Sequence, residues 1–264
     1  MTTKKSTIFK SQDVFIKKYD LSRVFYFLVS LAVLSRIVCD HIYLNRIGIH
    51  LGELFPSRKF NPDSAPYSVY VLYLEWALAF TGALLLNFRM IRFGALLIMI
   101  SYVMSLTQLF QNQKTLILIV VSALFLLPIS RKNFWSIWFL RYQLIFIYFI
   151  SAFQKIMTNF ENGSALSTTF HYLYSIEKKT LIQKLIQLMS QQDYVQFFSW
   201  LTLAFEFLIP IIIIKSPKTG IALVLILHLS FNLLMKDIFP FTTIMIALSL
   251  LFLINKDSPD AEIN

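Results

Sequence analysis

The chain has 264 residues, 57% of them hydrophobic and 14% charged, with a formal net charge of +10 and a mean hydropathy of +0.65. A water-soluble domain of this length carries roughly a quarter charged residues, so the composition excludes an ordinary soluble enzyme and points to a polytopic membrane protein. The excess of lysine and arginine is accounted for by basic loops beside anionic head groups, so the expected partner is the lipid bilayer and not nucleic acid. Cys39 is the single cysteine, which excludes an internal disulfide, and no Cys/His spacing fits a metal site.

Residues 1–22 read as a polar, basic, cytoplasmic N-terminus, residues 23–255 as one transmembrane domain, and residues 256–264 as a short cytoplasmic tail. The first apolar block is long and has no small-residue cleavage site close behind it, so it reads as a true span. The sequence predicts an all-α, polytopic helical bundle of about eight spans, near 23–43, 68–87, 93–111, 114–130, 138–156, 197–215, 220–236 and 238–255. The fourth and seventh are short for a hydrocarbon layer of about 30 Å. Between the first two, "FPSRKFNPDSAP" reads as an irregular loop. In the other long connection, Leu181, Ile182, Leu185, Ile186 and Met189 recur at helical spacing opposite Glu177, Lys178, Gln183, Lys184 and Gln187. That pattern predicts an amphipathic interfacial helix over 176–190.

The basic residues orient this arrangement. With the N-terminus in the cytoplasm, 14 of the 24 lysines and arginines fall on the cytoplasmic side, 9 on the other, and Arg36 within a span. The short connections "NFRMIRFG", "SRKNFW" and "KSPKTG" all fall on the cytoplasmic side, as the positive-inside rule requires. The expected location is the cell membrane, multi-pass, with both termini cytoplasmic.

Ionisable groups inside apolar segments cost roughly 2.5–3.5 kcal/mol each at mid-bilayer, so each needs a reason. Arg36 and Asp40 stand at i and i+4 in the first segment and can pair on one helix face. Glu75 lies in the middle of the second, where a structural and a substrate-binding role are both open. Arg141, near a boundary, reads as a snorkelling residue. Glu206 sits just before Pro210 in the sixth segment, either neutral or paired with Lys155 or Arg36. His228 and Asn232, again i and i+4, suggest an organised polar pocket in the seventh. Lys155, preceded by Gln154, ends the fifth; it either reaches for the outer head groups or serves as a desolvated base.

The stretch "YFISAFQKIMTNFENG" resembles the signature of the HTTM superfamily, whose best-known member is the vitamin K-dependent gamma-glutamyl carboxylase. Tyr148, Phe149 and Ile150 match its opening, Lys155 falls on the family's base lysine, Phe160 stands where tryptophan is usual, and Gly163 closes the motif. "HLSFNLLMKDIFPF" (228–241) is similar to the family's histidine-containing stretch, and Glu206 falls at an acidic position of the preceding helix. "SRVFYFLVSLAVLSRIVCD" and "LEWALAFTGALLLNFRMIRFGALL" resemble its first span and its second-to-third hairpin. The chain departs from the carboxylase where that enzyme has a histidine before its fourth span: here the sequence is "QNQKTL". It also lacks the carboxylase's large extracytoplasmic region. In size and layout it is similar to small bacterial relatives that help mature a sporulation-delay peptide toxin.

The resemblance implies a membrane-embedded site with Lys155, Glu206 and His228 as catalytic residues, and the polar groups within the apolar segments make Arg36, Asp40, Glu75, Gln154 and Asn232 the candidate substrate-binding ones. It implies a vitamin K-type hydroquinone or other quinol as cofactor, a secreted peptide as substrate, and a small soluble or membrane partner. The enzymatic alternatives are a gamma-carboxylase-like lyase and a quinol-linked oxidoreductase. The competing reading is a non-enzymatic membrane protein that binds, presents or helps export a secreted peptide.

Overall fold

The structure is a computed structural model that describes residues 21–46, 69–108, 112–126, 134–158, 160–164, 166–167, 187–188, 190–234 and 238–254. Among them are eight α-helices and no strand: α1 (Leu21–Arg46), α2 (Val69–Asn87), α3 (Ile91–Gln108), α4 (Asn112–Leu126), α5 (Phe134–Met157), α6 (Gln192–Lys215), α7 (Pro217–Leu234) and α8 (Phe239–Leu250). Each coincides with one of the eight apolar segments of the sequence. Three are long and apolar enough to cross a membrane, at Leu21–Ile42, Trp135–Met157 and Gln192–Lys215. The others are shorter: the 15 residues of α4 rise about 22 Å and the 12 of α8 about 18 Å, below the thickness of a hydrocarbon core. Most of the amphipathic segment expected at 176–190 lies outside the described residues.

Large apolar side chains lie on the outside as well as in the core, and several charged ones are buried. Phe88 is 73% exposed and Trp135 78%, whereas Lys114 is 1% exposed and Glu75 3%. Helices with apolar outer faces and charged inner ones suit a surrounding solvent as apolar as they are.

The chain forms two compact units, residues 1–137 with 254–264 and residues 138–253. In the first, α1 packs on α2, α2 on α3 and α3 on α4, and α4 meets α1. The α2–α3 turn ends α2 in a Schellman arrangement, with Met90 N–H on the Leu85 carbonyl (3.0 Å) and Arg89 N–H on that of Leu86 (3.3 Å). Arg89 takes the left-handed position, at φ 65°. Behind the turn the two backbones touch at Gly82 and Gly94. A Cβ on either would stand 2.7 Å from the other's carbonyl oxygen. Small residues at this crossing let the helices approach closely enough for dispersion to hold them. Ser30 Oγ donates to the Ala83 carbonyl (2.9 Å) and Ser101 Oγ to that of Glu75 (2.8 Å), tying α1 and α3 to α2.

In the second unit, α6 packs on α7 and α7 on α8. Pro217 opens α7, where its missing N–H costs nothing. A short 3₁₀ turn, Phe160–Asn162, follows α5 and packs against α6.

Candidate functional site

The second unit is organised by one stripe of α5. Arg141, Tyr148, Ser151 and Lys155 recur at spacings of seven, three and four, which puts them on one helix face. Each reaches a different element. Arg141 Nε and Nη2 donate to the Leu251 carbonyl at the end of α8 (3.1 and 2.8 Å), and its guanidinium lies over the rings of Trp138 and Phe252. It is therefore buried and ties down a helix C-terminus, correcting the expectation of snorkelling; the carbonyls left open there attract a cation. Tyr148 Oη and His228 Nε2 share a hydrogen bond of 2.8 Å, with the His228 ring edge-on to Phe241.

Lys155 faces α6. Its Nζ donates to Glu206 Oε1 at 2.5 Å and to Ser151 Oγ at 2.8 Å, while Ser151 Oγ donates to the same carboxylate oxygen at 3.1 Å. Of the two partners weighed for Glu206, the one it meets is Lys155; Arg36 pairs with Asp40. The Lys155 side chain is 24% exposed and that of Glu206 8%. Glu206 Oε2 is buried with no hydrogen-bond partner among the described residues. Four residues on, Pro210 has no N–H to give, so the backbone carbonyl of Glu206 loses its ordinary helical donor as well.

The residues after Lys155 have a physical reason for their spacing. The Phe160 ring lies 5.5 Å from Lys155 Nζ, a cation–π contact with the ammonium that Glu206 also holds. Gly163 adopts φ 77°, and a Cβ there would stand 2.7 Å from Val195 Cγ1. Glycine thus permits both the left-handed turn and close seating on the first turn of α6. That seat lies about 16 Å before Glu206 along the same helix, so turn and ion pair fix α6 against α5 at two levels.

The remaining expected residues separate. Gln154 follows a different direction from Lys155, as consecutive helical residues must, and is exposed. Asn232 Oδ1 is buried and unpartnered among the described residues, so the Tyr148–His228 hydrogen bond does not extend to it. Arg36, Asp40 and Glu75 lie in the first unit. There Arg36 Nε and Nη2 donate to Asp40 Oδ1 at 3.0 and 2.5 Å, as the i,i+4 spacing predicts. Lys114 Nζ pairs with Asp40 Oδ2 at 3.0 Å and donates to Ser105 Oγ at 2.5 Å.

Lys114, the first residue of the fourth expected segment, is the one that sequence reasoning missed. A signal was present: Arg36, Asp40 and Glu75 together carry one formal cation against two carboxylates, so a buried cluster needed a second cation. Among the described residues, no group of three or more His, Cys, Asp and Glu side chains is placed to hold a metal ion.

The architecture defines a class: an all-helical protein with apolar outer faces and paired charges inside each unit. No family model, curated protein or solved structure matches the chain.

Proposed function

We propose that this is a multi-pass membrane protein of the HTTM type, in which Lys155 and Glu206 form a proton-handling site acting in the maturation of a secreted peptide. The observation that carries the reading is the Lys155–Glu206 pair, set within apolar helices with Glu206 Oε2 open. An ion pair that served packing alone would be expected to have its remaining acceptor satisfied, because an unmade buried hydrogen bond costs about 1–3 kcal/mol. In this reading the five shorter helices complete the eight crossings where the bilayer thins locally around them, and both termini face the cytoplasm.

The pair can act by passing one proton between its members. In the charged form Lys155 holds three protons and donates to Oε1. Transfer of one proton to Glu206 leaves a neutral amine beside a neutral acid, a combination that a low-dielectric surrounding favours over separated charges. The amine lone pair can then accept a proton from a substrate hydroxyl. Ser151 keeps Lys155 and Glu206 aligned through both states, since its hydroxyl accepts from one and donates to the other.

The residues present fit a hydroquinone. Oε2 would accept a hydrogen bond from its hydroxyl. Such a cofactor would supply reducing equivalents and an acidic hydroxyl; the chain's own part is to hold that hydroxyl and accept its proton.

The experiment compares secreted peptides by mass spectrometry from cells producing the wild type, Lys155→Met and Glu206→Gln, with protein level in the membrane as control. The expected result is loss of a modified or processed peptide in both variants at unchanged protein level. An unchanged secreted peptide profile in Lys155→Met would refute the reading.

A further inference from the structure

The polar core of the first unit contains a second arrangement that the proposed peptide chemistry does not use. Arg36, Asp40, Glu75, Trp76, Tyr102 and Ser105 line a small cavity of about 10 Å³. Three of them present polar atoms with no hydrogen-bond partner among the described residues: Glu75 Oε1, Trp76 Nε1 and Tyr102 Oη. Glu75 and Tyr102 are each 3% exposed, so these atoms do not find solvent instead. One unpartnered buried group can be a local imperfection. Three around a single cavity, in a core whose other charges are closely paired, point to an occupant.

The donor and acceptor count selects that occupant. Trp76 Nε1–H can only donate, Glu75 Oε1 accepts when ionised, and Tyr102 Oη can do either. A halide would be repelled by the carboxylate, and a metal ion would meet the indole N–H and the Arg36 guanidinium. Water donates to Glu75 and accepts from Trp76 and Tyr102, and the cavity is about one water in size.

We infer that this cavity is a built site for one water molecule, and that Glu75 takes up and releases a proton through it. Glu75 is the group that gains and loses the proton, which it exchanges with the bulk solvent; the water relays it and ends as it began. The titratable and charged groups around Glu75 are Arg36, Cys39, Asp40 and His41 on α1, Tyr102 on α3 and Lys114 on α4. Asp40 is held by two cations, which leaves Glu75 as the carboxylate of the cluster with an oxygen open to the water. Ser105 couples the two halves: its oxygen accepts from Lys114, and its hydroxyl lies beside the Glu75 carboxyl.

The test is infrared difference spectroscopy on the full chain in nanodiscs, recorded across a pH step. The carbonyl stretch of a protonated carboxylic acid is read for the wild type, Glu75→Gln, Tyr102→Phe and Trp76→Phe. The expected result is a titrating band that vanishes in Glu75→Gln and shifts in frequency in both Tyr102→Phe and Trp76→Phe, because each of the latter removes one partner of the bridging water. A band that survives Glu75→Gln overturns the assignment to Glu75. A band lost in Glu75→Gln but unmoved in both ring variants overturns the water site. Retained helical circular dichroism in each variant separates these outcomes from misfolding, and if Glu75→Gln fails to fold, Glu75→Asp must move the band or the assignment falls.

Discussion

Replacing Lys155 with methionine keeps the aliphatic stem and removes the charge, leaving Glu206 buried beside Ser151 alone. At the observed 2.5 Å and an effective dielectric constant of about 20, the gross attraction of the pair is about 7 kcal/mol. The Lys155 side chain keeps 24% of its exposure, so solvent recovers part of that on separation, and both groups paid desolvation on folding. Removing one partner of a buried pair costs about 3–5 kcal/mol, and the lower end applies to a half-sheltered ammonium. Lys155→Met should therefore destabilise by about 3 kcal/mol and Glu206→Gln by about 2 kcal/mol. The double variant should cost less than the two singly, by a coupling of about 2 kcal/mol, because neither mutation then strands a charge. The assay is equilibrium unfolding in mixed micelles for all four proteins. Strictly additive losses would refute the ion pair, whatever its role in chemistry.

Gly163→Ala should destabilise by about 1–2 kcal/mol, since alanine is strained at φ 77° and its Cβ would press on Val195; a thermal melt reads it. Gly94→Leu should cost more, about 3 kcal/mol, because it wedges apart backbones that touch, and a loss below 1 kcal/mol would contradict the close crossing of α2 and α3. Lys114→Met should cost about 3 kcal/mol, with Lys114→Arg recovering part of it, measured by the same unfolding transition. Phe160→Ala should weaken the Lys155 site by roughly 0.5–2 kcal/mol and Phe160→Trp should preserve it, which the same double-mutant scheme can report.

The helices were legible because apolar blocks are unambiguous, but their ends were not, and each error has a local cause. The sixth segment was expected from residue 197, whereas α6 starts at Gln192: its first turn is polar, with Asp193 favouring the helix dipole although it depresses hydropathy. The seventh was expected from 220 and starts at Pro217, where proline is a start signal. The fourth was carried to 130; α4 is described to Leu126, and residues 127–130 lie outside the described residues. At the sites, the Arg36–Asp40 pair was readable from spacing alone. Lys155 with Glu206 was readable only as one of two options, because no local rule connects residues 51 apart in sequence. Lys114 was missed because a lysine at the edge of an apolar block looks like a loop cation until the charge of the core is counted.

Within the α5 stripe, the degree of satisfaction separates packing from chemistry. On the proposed membrane reading, hydrophobic burial gives no net attraction between apolar helices, so polar contacts and close packing must hold them. Arg141 closes on a carbonyl and two rings, and Tyr148 on His228: each contact pins a helix and uses the atoms that would otherwise bind something else. The Lys155 end also pins a helix, but it leaves Glu206 Oε2 without a donor and keeps Lys155 partly exposed. A group evolved only to hold α6 would do so at lower cost as a neutral pair such as serine and asparagine. On the proposed reading, the charges and the open oxygen serve proton transfer, which a packing contact does not need. Arg141→Lys should therefore lower stability without altering secreted peptides in the folded fraction. Lys155→Arg should keep most of the stability and still lose the function, because guanidinium remains charged where an amine can give up its proton.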